Sequence, residues 1–148
     1  MQQQYYKLPL NFSSVFDDED GKRMAMCNET ASIDQYIELL LTTCPGEHKF
    51  NKSFGCGIWD MDFESVTSRQ NWKDRFTAHI LEAVQTFEKR LKDVSIELDI
   101  NDVARRDYVL QTTAIKQEVQ IRIRANLVSN NEPCGFRYVL YLGPLSTE

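Results

Sequence analysis

The segment Phe87-Glu88-Lys89-Arg90-Leu91-Lys92-Asp93-Val94-Ser95-Ile96-Glu97-Leu98-Asp99-Ile100 decides the fold, because the spacing of apolar residues changes partway along it. Upstream, Trp72, Phe76, Ile80, Ala83, Val84, Phe87 and Leu91 recur at intervals of three and four. At 100° per residue they form one stripe, which predicts a helix from about Gln70 to Lys92. At 1.5 Å per residue that helix is roughly 33 Å long. Downstream, Val94, Ile96, Leu98 and Ile100 alternate with Ser95, Glu97 and Asp99, the period of a strand with one packed face.

Further along, Val119, Ile121, Ile123, Ala125 and Leu127 alternate with Gln120, Arg122, Arg124 and Asn126. A third run, Phe136 to Leu142, follows turn-forming residues from Ser129 to Gly135, so the last two runs are expected to pair as an antiparallel hairpin. On the N-terminal side, Ile33, Tyr36, Ile37, Leu40 and Leu41 predict a helix from about Ser32 to Thr43. Ser32 and Gln35 read as its capping box, and Pro45-Gly46 stops it. Strands grouped after helices indicate an α+β fold, with two main helices on a small, mostly antiparallel sheet that ends in a β-hairpin. Residues 1–29 read as an arm, docked through Leu8, Leu10, Phe12, Val15 and Phe16 and carrying an acidic turn from Asp17 to Gly21. Residues 30–148 read as one domain.

A chain of 148 residues suits a single core. Its net charge of −5 argues against a phosphate-binding surface for nucleic acid. No apolar run approaches the roughly 20 residues that span a bilayer, and Met1 to Tyr6 lacks the pattern of an export signal. Cys27, Cys44, Cys56 and Cys134 are irregularly spaced, which favours reduced thiols in a cytoplasm.

Little in the chain points to catalysis. Cys44, His48 and Cys56 could be grouped as metal ligands, but zinc takes four ligands, typically in close pairs, and no such pair exists here. His79 lies at the edge of the apolar stripe, where packing is the plainer role. Asp60 and Asp62, like Asp18 and Glu19, read as solvated loop acids rather than the spaced acid pair of a glycosidase. No cofactor is expected. The loop from Cys44 to Ser68 is long for a connector and is expected to carry a short helix or a function; within it lies Phe54-Gly55-Cys56-Gly57. On a continuous helix Arg90 would share the azimuth of Trp72. It would then sit in the apolar stripe, either pairing locally with Asp93 while Glu88 meets Lys92, or anchoring a protein interface.

Ser32-Ile33 with Ile37, Leu39-Leu40-Leu41-Thr42, the T-x-PGE element ending in Pro45-Gly46-Glu47, and Phe54-Gly55-Cys56-Gly57 together resemble the baseplate-wedge family of contractile phage tails, once called tail lysozymes. Phe87-Glu88-Lys89-Arg90-Leu91 and the strands behind it extend the likeness over about residues 30–142. The chain is especially similar to the family's type VI secretion member, TssE. The family's Glu-Pro-Arg motif falls on Glu88 and Arg90, with Lys89 in place of proline, which is expected to let the helix run on straighter. The resemblance implies a non-catalytic structural subunit at a bacterial, cytoplasmic baseplate. Its Glu88 and Arg90 would engage the wedge proteins, and a sheet edge would receive the first sheath subunits. The strand from Val119 to Leu127 and the run Phe136 to Leu142 are the candidate edges. Phe54, Gly55, Cys56 and Gly57 are candidate interface residues from the same resemblance. Arg122 and Arg124, on the polar strand face, are candidates for an acidic partner. An adaptor of the same fold that binds a regulatory protein is the alternative, and a murein hydrolase a distant third.

Overall fold

Asn28 opens the first helix: its side-chain oxygen accepts a hydrogen bond from the Ala31 amide at 2.8 Å, filling one of the orphan donors of the first turn. In the computed structural model, which describes residues 4–10, 24–61, 69–107, 109 and 111–142, helix α1 spans Glu29–Thr42. It therefore starts one turn before the expected capping box. Ser32 and Gln35 are inside it and have other partners: Gln35 Oε1 accepts from the Leu8 amide and Ser32 Oγ from Arg90. Ile33, Ile37, Leu40 and Leu41 are buried along one face.

The arm does dock. Strand β1 (Tyr5–Tyr6) pairs antiparallel with β2 (Met26–Cys27), and the Lys7 amide donates to Ala25 O. Leu8 and Leu10, expected to dock it, are exposed. Phe12, Val15, Phe16 and the acidic turn Asp17–Gly21 lie outside the described residues.

After α1 the chain turns through Thr43 to Ser53 and forms a single 3-10 turn at Gly57–Asp60, the short helix expected in the long loop. The Trp59 indole N–H donates to Leu41 O at 2.9 Å and ties this turn to α1. Helix α2 spans Arg69–Phe87, with Trp72, Phe76, Ile80, Ala83 and Val84 buried. The predicted stripe is correct, but the helix ends five residues early. Leu91, its last expected member, belongs to the next strand.

Three strands follow as an antiparallel meander in the order β3-β4-β5: Leu91–Asp107, Thr112–Leu127 and Pro133–Leu142. A bulge between Lys92 and Ser95, with Asp93 at φ 54°, shifts the side-chain phase of β3. Without that extra residue, Leu91 and Leu98 could not both face the core. Ile96, Leu98 and Ile100 lie opposite Ile123, Ile121 and Val119, which lie opposite Phe136, Tyr138 and Leu140. Both helices pack on this apolar face. Tyr138 reaches across it to donate its hydroxyl to Asp34 of α1 at 2.7 Å.

The topology corrects one expectation. β4 is the central strand, paired on both sides from Gln117 to Asn126, so Val119–Leu127 offers no free edge. Among the described residues the sheet's outer strands are β3 and β5. Among the described residues β3 and β4 also pair on past Leu142 of β5, from Val103–Lys116 to Asp107–Thr112, as a two-stranded ribbon that the apolar alternation did not reveal.

Candidate interaction site

The turn between α2 and β3 brings together a buried carboxylate and the arginine that pairs with it. The Glu88 amide makes the last helical bond, to Val84 O, and the chain then leaves the helix. Glu88 folds back onto this turn. Its Oε1 accepts from the Arg90 amide at 3.0 Å and from Arg90 Nε at 2.8 Å, and its Oε2 accepts from Arg90 Nη2 at 2.8 Å. The side-chain contact is the two-pronged guanidinium–carboxylate fork, the strongest geometry for such a pair. The Glu88 side chain is 2% exposed and that of Arg90 27%.

Lys89 does not prolong the helix, contrary to the expectation from the missing proline. Its ammonium donates to Gln85 O, a cation placed at the C-terminal carbonyls. The local pairs expected on a continuous helix, Glu88 with Lys92 and Arg90 with Asp93, are likewise replaced by Glu88 with Arg90. The helix stops where the Arg90 amide donates to the Glu88 carboxylate instead of to a helical carbonyl.

Arg90 then joins four parts of the chain. Its Nη1 donates to Ser32 Oγ of α1 at 2.9 Å, and its backbone carbonyl accepts from the Val128 amide after β4. The ring of Tyr5 in the arm stacks on its guanidinium, 5.0 Å from the ring centroid. The side-chain bond to Glu88 raises the Arg90 pKa above its ordinary value and outweighs the opposing effect of burial. Arg90 is thus a permanent charge that still reaches the surface, and Glu88 positions it. Sequence reading missed Ser32 and Tyr5 here. Ser32 looked like a cap, and nothing local links Tyr5 to a residue 85 positions away.

The Phe54-Gly55-Cys56-Gly57 segment supports this turn from below. Phe54 is buried and stacks edge-on against Phe87 at 5.3 Å and against Tyr36 at 5.6 Å. Burial, followed by the charge of Glu88, raises the Tyr36 pKa. Gly55 sits at φ +140°, where a Cβ would come within 2.7 Å of Pro45 N and Thr43 O. The Cys56 amide donates to Thr43 O at 3.0 Å, so the T-x-PGE and FGCG elements are one packed unit. A Cβ on Gly57 would meet His79 Nδ1 at 2.6 Å, which gives His79 a packing role. Phe54, Gly55 and Cys56 are buried and Gly57 is half-buried, so any contribution they make to a partner passes through the shape of this loop.

Cys56 is fully buried, and burial pushes its thiol up to about 11, the reverse of an activated nucleophile. His48 Nδ1 accepts from the Asn51 amide, and among the described residues no three His, Cys, Asp or Glu side chains are grouped as metal ligands. No helix in the described residues is long and apolar enough to cross a membrane. Asp62, Asp18 and Glu19 lie outside the described residues. Arg122 and Arg124 point away from the helices, on the open face of the sheet. There Arg122 pairs with Asp99 of β3, and Arg124 is exposed.

Comparisons with known proteins agree with this geometry. Among solved structures, a Geobacter sulfurreducens protein that goes by the name of tail lysozyme is similar at 25% identity and a TM-score of 0.59. The match covers 84% of this chain and 100% of that one. No curated protein matches the chain. The model of the family described as baseplate wedge protein gp25 matches residues 27–132. That span includes the T-x-PGE and FGCG unit, Glu88 and Arg90, and leaves out Tyr5. With most of its length matched, the chain belongs to the baseplate wedge protein gp25 family.

Proposed function

We propose that this protein is a non-catalytic subunit of a type VI secretion baseplate in the bacterial cytoplasm, joining the wedge complex to the first sheath ring. The observation that carries the proposal is the buried Glu88–Arg90 fork, on a turn that the family match includes. A structural subunit needs a rigid charged anchor, and this one is locked from three sides with its guanidinium still in reach of a partner. Glu88 is the one buried carboxylate among the described residues, and both its oxygens are taken by Arg90 donors, an arrangement that suits anchoring better than acid catalysis. The TssE-like motif series points to the secretion branch of the family.

The sheath-facing role falls to β5. It is an outer strand of the sheet, and an incoming extended segment can pair with it. Exposed Val139 and Tyr141 on the same strand provide apolar contact for such a segment.

The test is co-expression with the wedge and sheath proteins encoded beside it, followed by size-exclusion chromatography. The intact chain co-elutes with the wedge proteins, and Arg90→Glu abolishes this. Arg90→Lys, which keeps Glu88 neutralised, controls for folding and weakens co-elution without abolishing it. A chain that elutes alone in the presence of every wedge protein overturns the proposal.

A further inference from the structure

The open face of the sheet is polar but not uniformly so. On β3 it carries Glu97 and Asp99; on β4, Glu118, Arg122 and Arg124; on β5, Arg137, Val139 and Tyr141. Arg122 lies directly opposite Arg137 across β4 and β5, and Arg124 is the next outward residue along β4. Three arginines therefore share one corner of a chain whose net charge is −5. Like charges set directly opposite one another on a sheet destabilise it unless an anion lies between or above them.

β3 supplies only part of that counter-charge. Asp99 pairs with Arg122, and Glu97 is opposite it in register. Arg122 Nε is buried with no hydrogen-bond acceptor. Arg124 and Arg137 are exposed, and among the described residues neither takes part in an ion pair. The residue opposite Arg124 is Gly135, which has no side chain to fill the space. A concavity of about 400 Å³ opens there, lined by Arg124, Asn126, Pro133, Cys134 and Gly135 together with Asp93 of the bulge. Next to Arg137 along β5, Val139 and Tyr141 are 48% and 46% exposed.

We propose that this face is a second docking surface, on which Arg122, Arg124 and Arg137 receive the carboxylates of an acidic segment of a partner protein. One apolar side chain of that segment fills the recess above Gly135, and others rest on Val139 and Tyr141. The partner's carboxylates supply the counter-charge that the arginine corner lacks, and the guanidinium forks read them two oxygens at a time. A nucleic acid fits less well. A phosphate backbone crossing this face would meet Glu97, Asp99 and Glu118 on leaving the arginines, and the apolar strip would give it nothing to bind. The surface is distinct from the Arg90 anchor and from pairing at the β5 edge, because it engages the sheet face-on. It rests on the reading of the chain as an assembly subunit.

The experiment uses the same co-expression with the wedge and sheath neighbours and the double variant R124E/R137E. Both side chains are exposed and outside the ion pairs among the described residues, and R137E sets a carboxylate opposite Arg122, so the variant melts no lower than the original. Expected is at least about a tenfold loss of affinity for one neighbour, with a shallower dependence of binding on salt. R124K/R137K retains most of the binding, and Arg90 variants lose a different contact. An R124E/R137E chain that binds every neighbour as tightly as the original overturns this inference and leaves the proposed function standing. A band shift with DNA that disappears in R124E/R137E overturns it in favour of phosphate. An unaltered chain that binds no neighbour at all overturns the proposed function, and this inference with it.

Discussion

Arg90 is a surface residue by reach and a core residue by consequence. Removing it leaves Glu88, 2% exposed in the intact fold, without its charge partner. Breaking a buried pair from one side costs far more than the pair contributes, so Arg90→Ala should destabilise the fold by about 3 kcal/mol or more. Glu88→Met/Arg90→Met leaves neither charge stranded and should recover most of that loss. Urea unfolding measures both. If the double variant is as unstable as Arg90→Ala, the turn depends on the hydrogen bonds to the Arg90 backbone and Ser32, and charge is secondary. The two charged residues of this site were legible in the sequence, but their relation was not. Azimuths on an ideal helix assigned them to Lys92 and Asp93, because nothing in the local pattern reveals that a carboxylate two residues before an arginine will end the helix by bonding to it.

At the scale of elements, the loop between the helices shows why short glycine motifs mean more than their length suggests. Gly55 holds a positive φ and lies against the backbone of Pro45 and Thr43, where neither neighbour can give way. Gly57 lies against a side chain, which can. Gly55→Ala should therefore cost well over about 1 kcal/mol, and Gly57→Ala distinctly less. Gly57→Ala/His79→Ala should regain part of the smaller loss, since it removes the atom that the new methyl meets. Thermal melts of the three variants test the order; equal losses at Gly55 and Gly57 would show that backbone strain is not what distinguishes them. Both long helices and the three strands could be read from periodicity alone, since a 3.6-residue or two-residue repeat is what burial of one face requires. The helix ends could not. Asn28 displaced the apparent cap at Ser32, and Glu88 displaced the apparent end at Lys92, each through a hydrogen bond that periodicity does not encode. The outer ribbon of β3 and β4 was invisible for a related reason: among the described residues no further strand pairs with it there to impose an alternation.

For the whole molecule, one packed face and one open face follow from placing both helices on the same side of three strands. Apart from the Glu88–Arg90 pair, several buried titratable groups are held neutral, and that makes the stability depend on pH. Burial raises the Cys56 thiol from 9.0 to about 11. Tyr138 is raised by burial and then by its bond to Asp34, and Tyr36 by burial and then by Glu88. In each case the folded protein holds a proton that the unfolded chain releases at lower pH. The stabilisation is fully present below the unfolded value and disappears as pH climbs through the folded one. For Cys56 the window runs from pH 9 to about 11, and a difference of about 2 in pKa is worth roughly 3 kcal/mol at most. Urea midpoints should thus hold steady from pH 7 to 9 and fall steeply toward 11. In Cys56→Ala the midpoint at pH 7 is lower, because a buried group is lost, but its fall between pH 9 and 11 should be shallower. Tyr138→Phe should flatten the curve further from about pH 10 upward, at the cost of the tie between β5 and α1. A Cys56→Ala curve as steep as the original would mean that the thiol meets water in the folded state, and that the packed unit of T-x-PGE and FGCG opens far more readily than its backbone contacts imply.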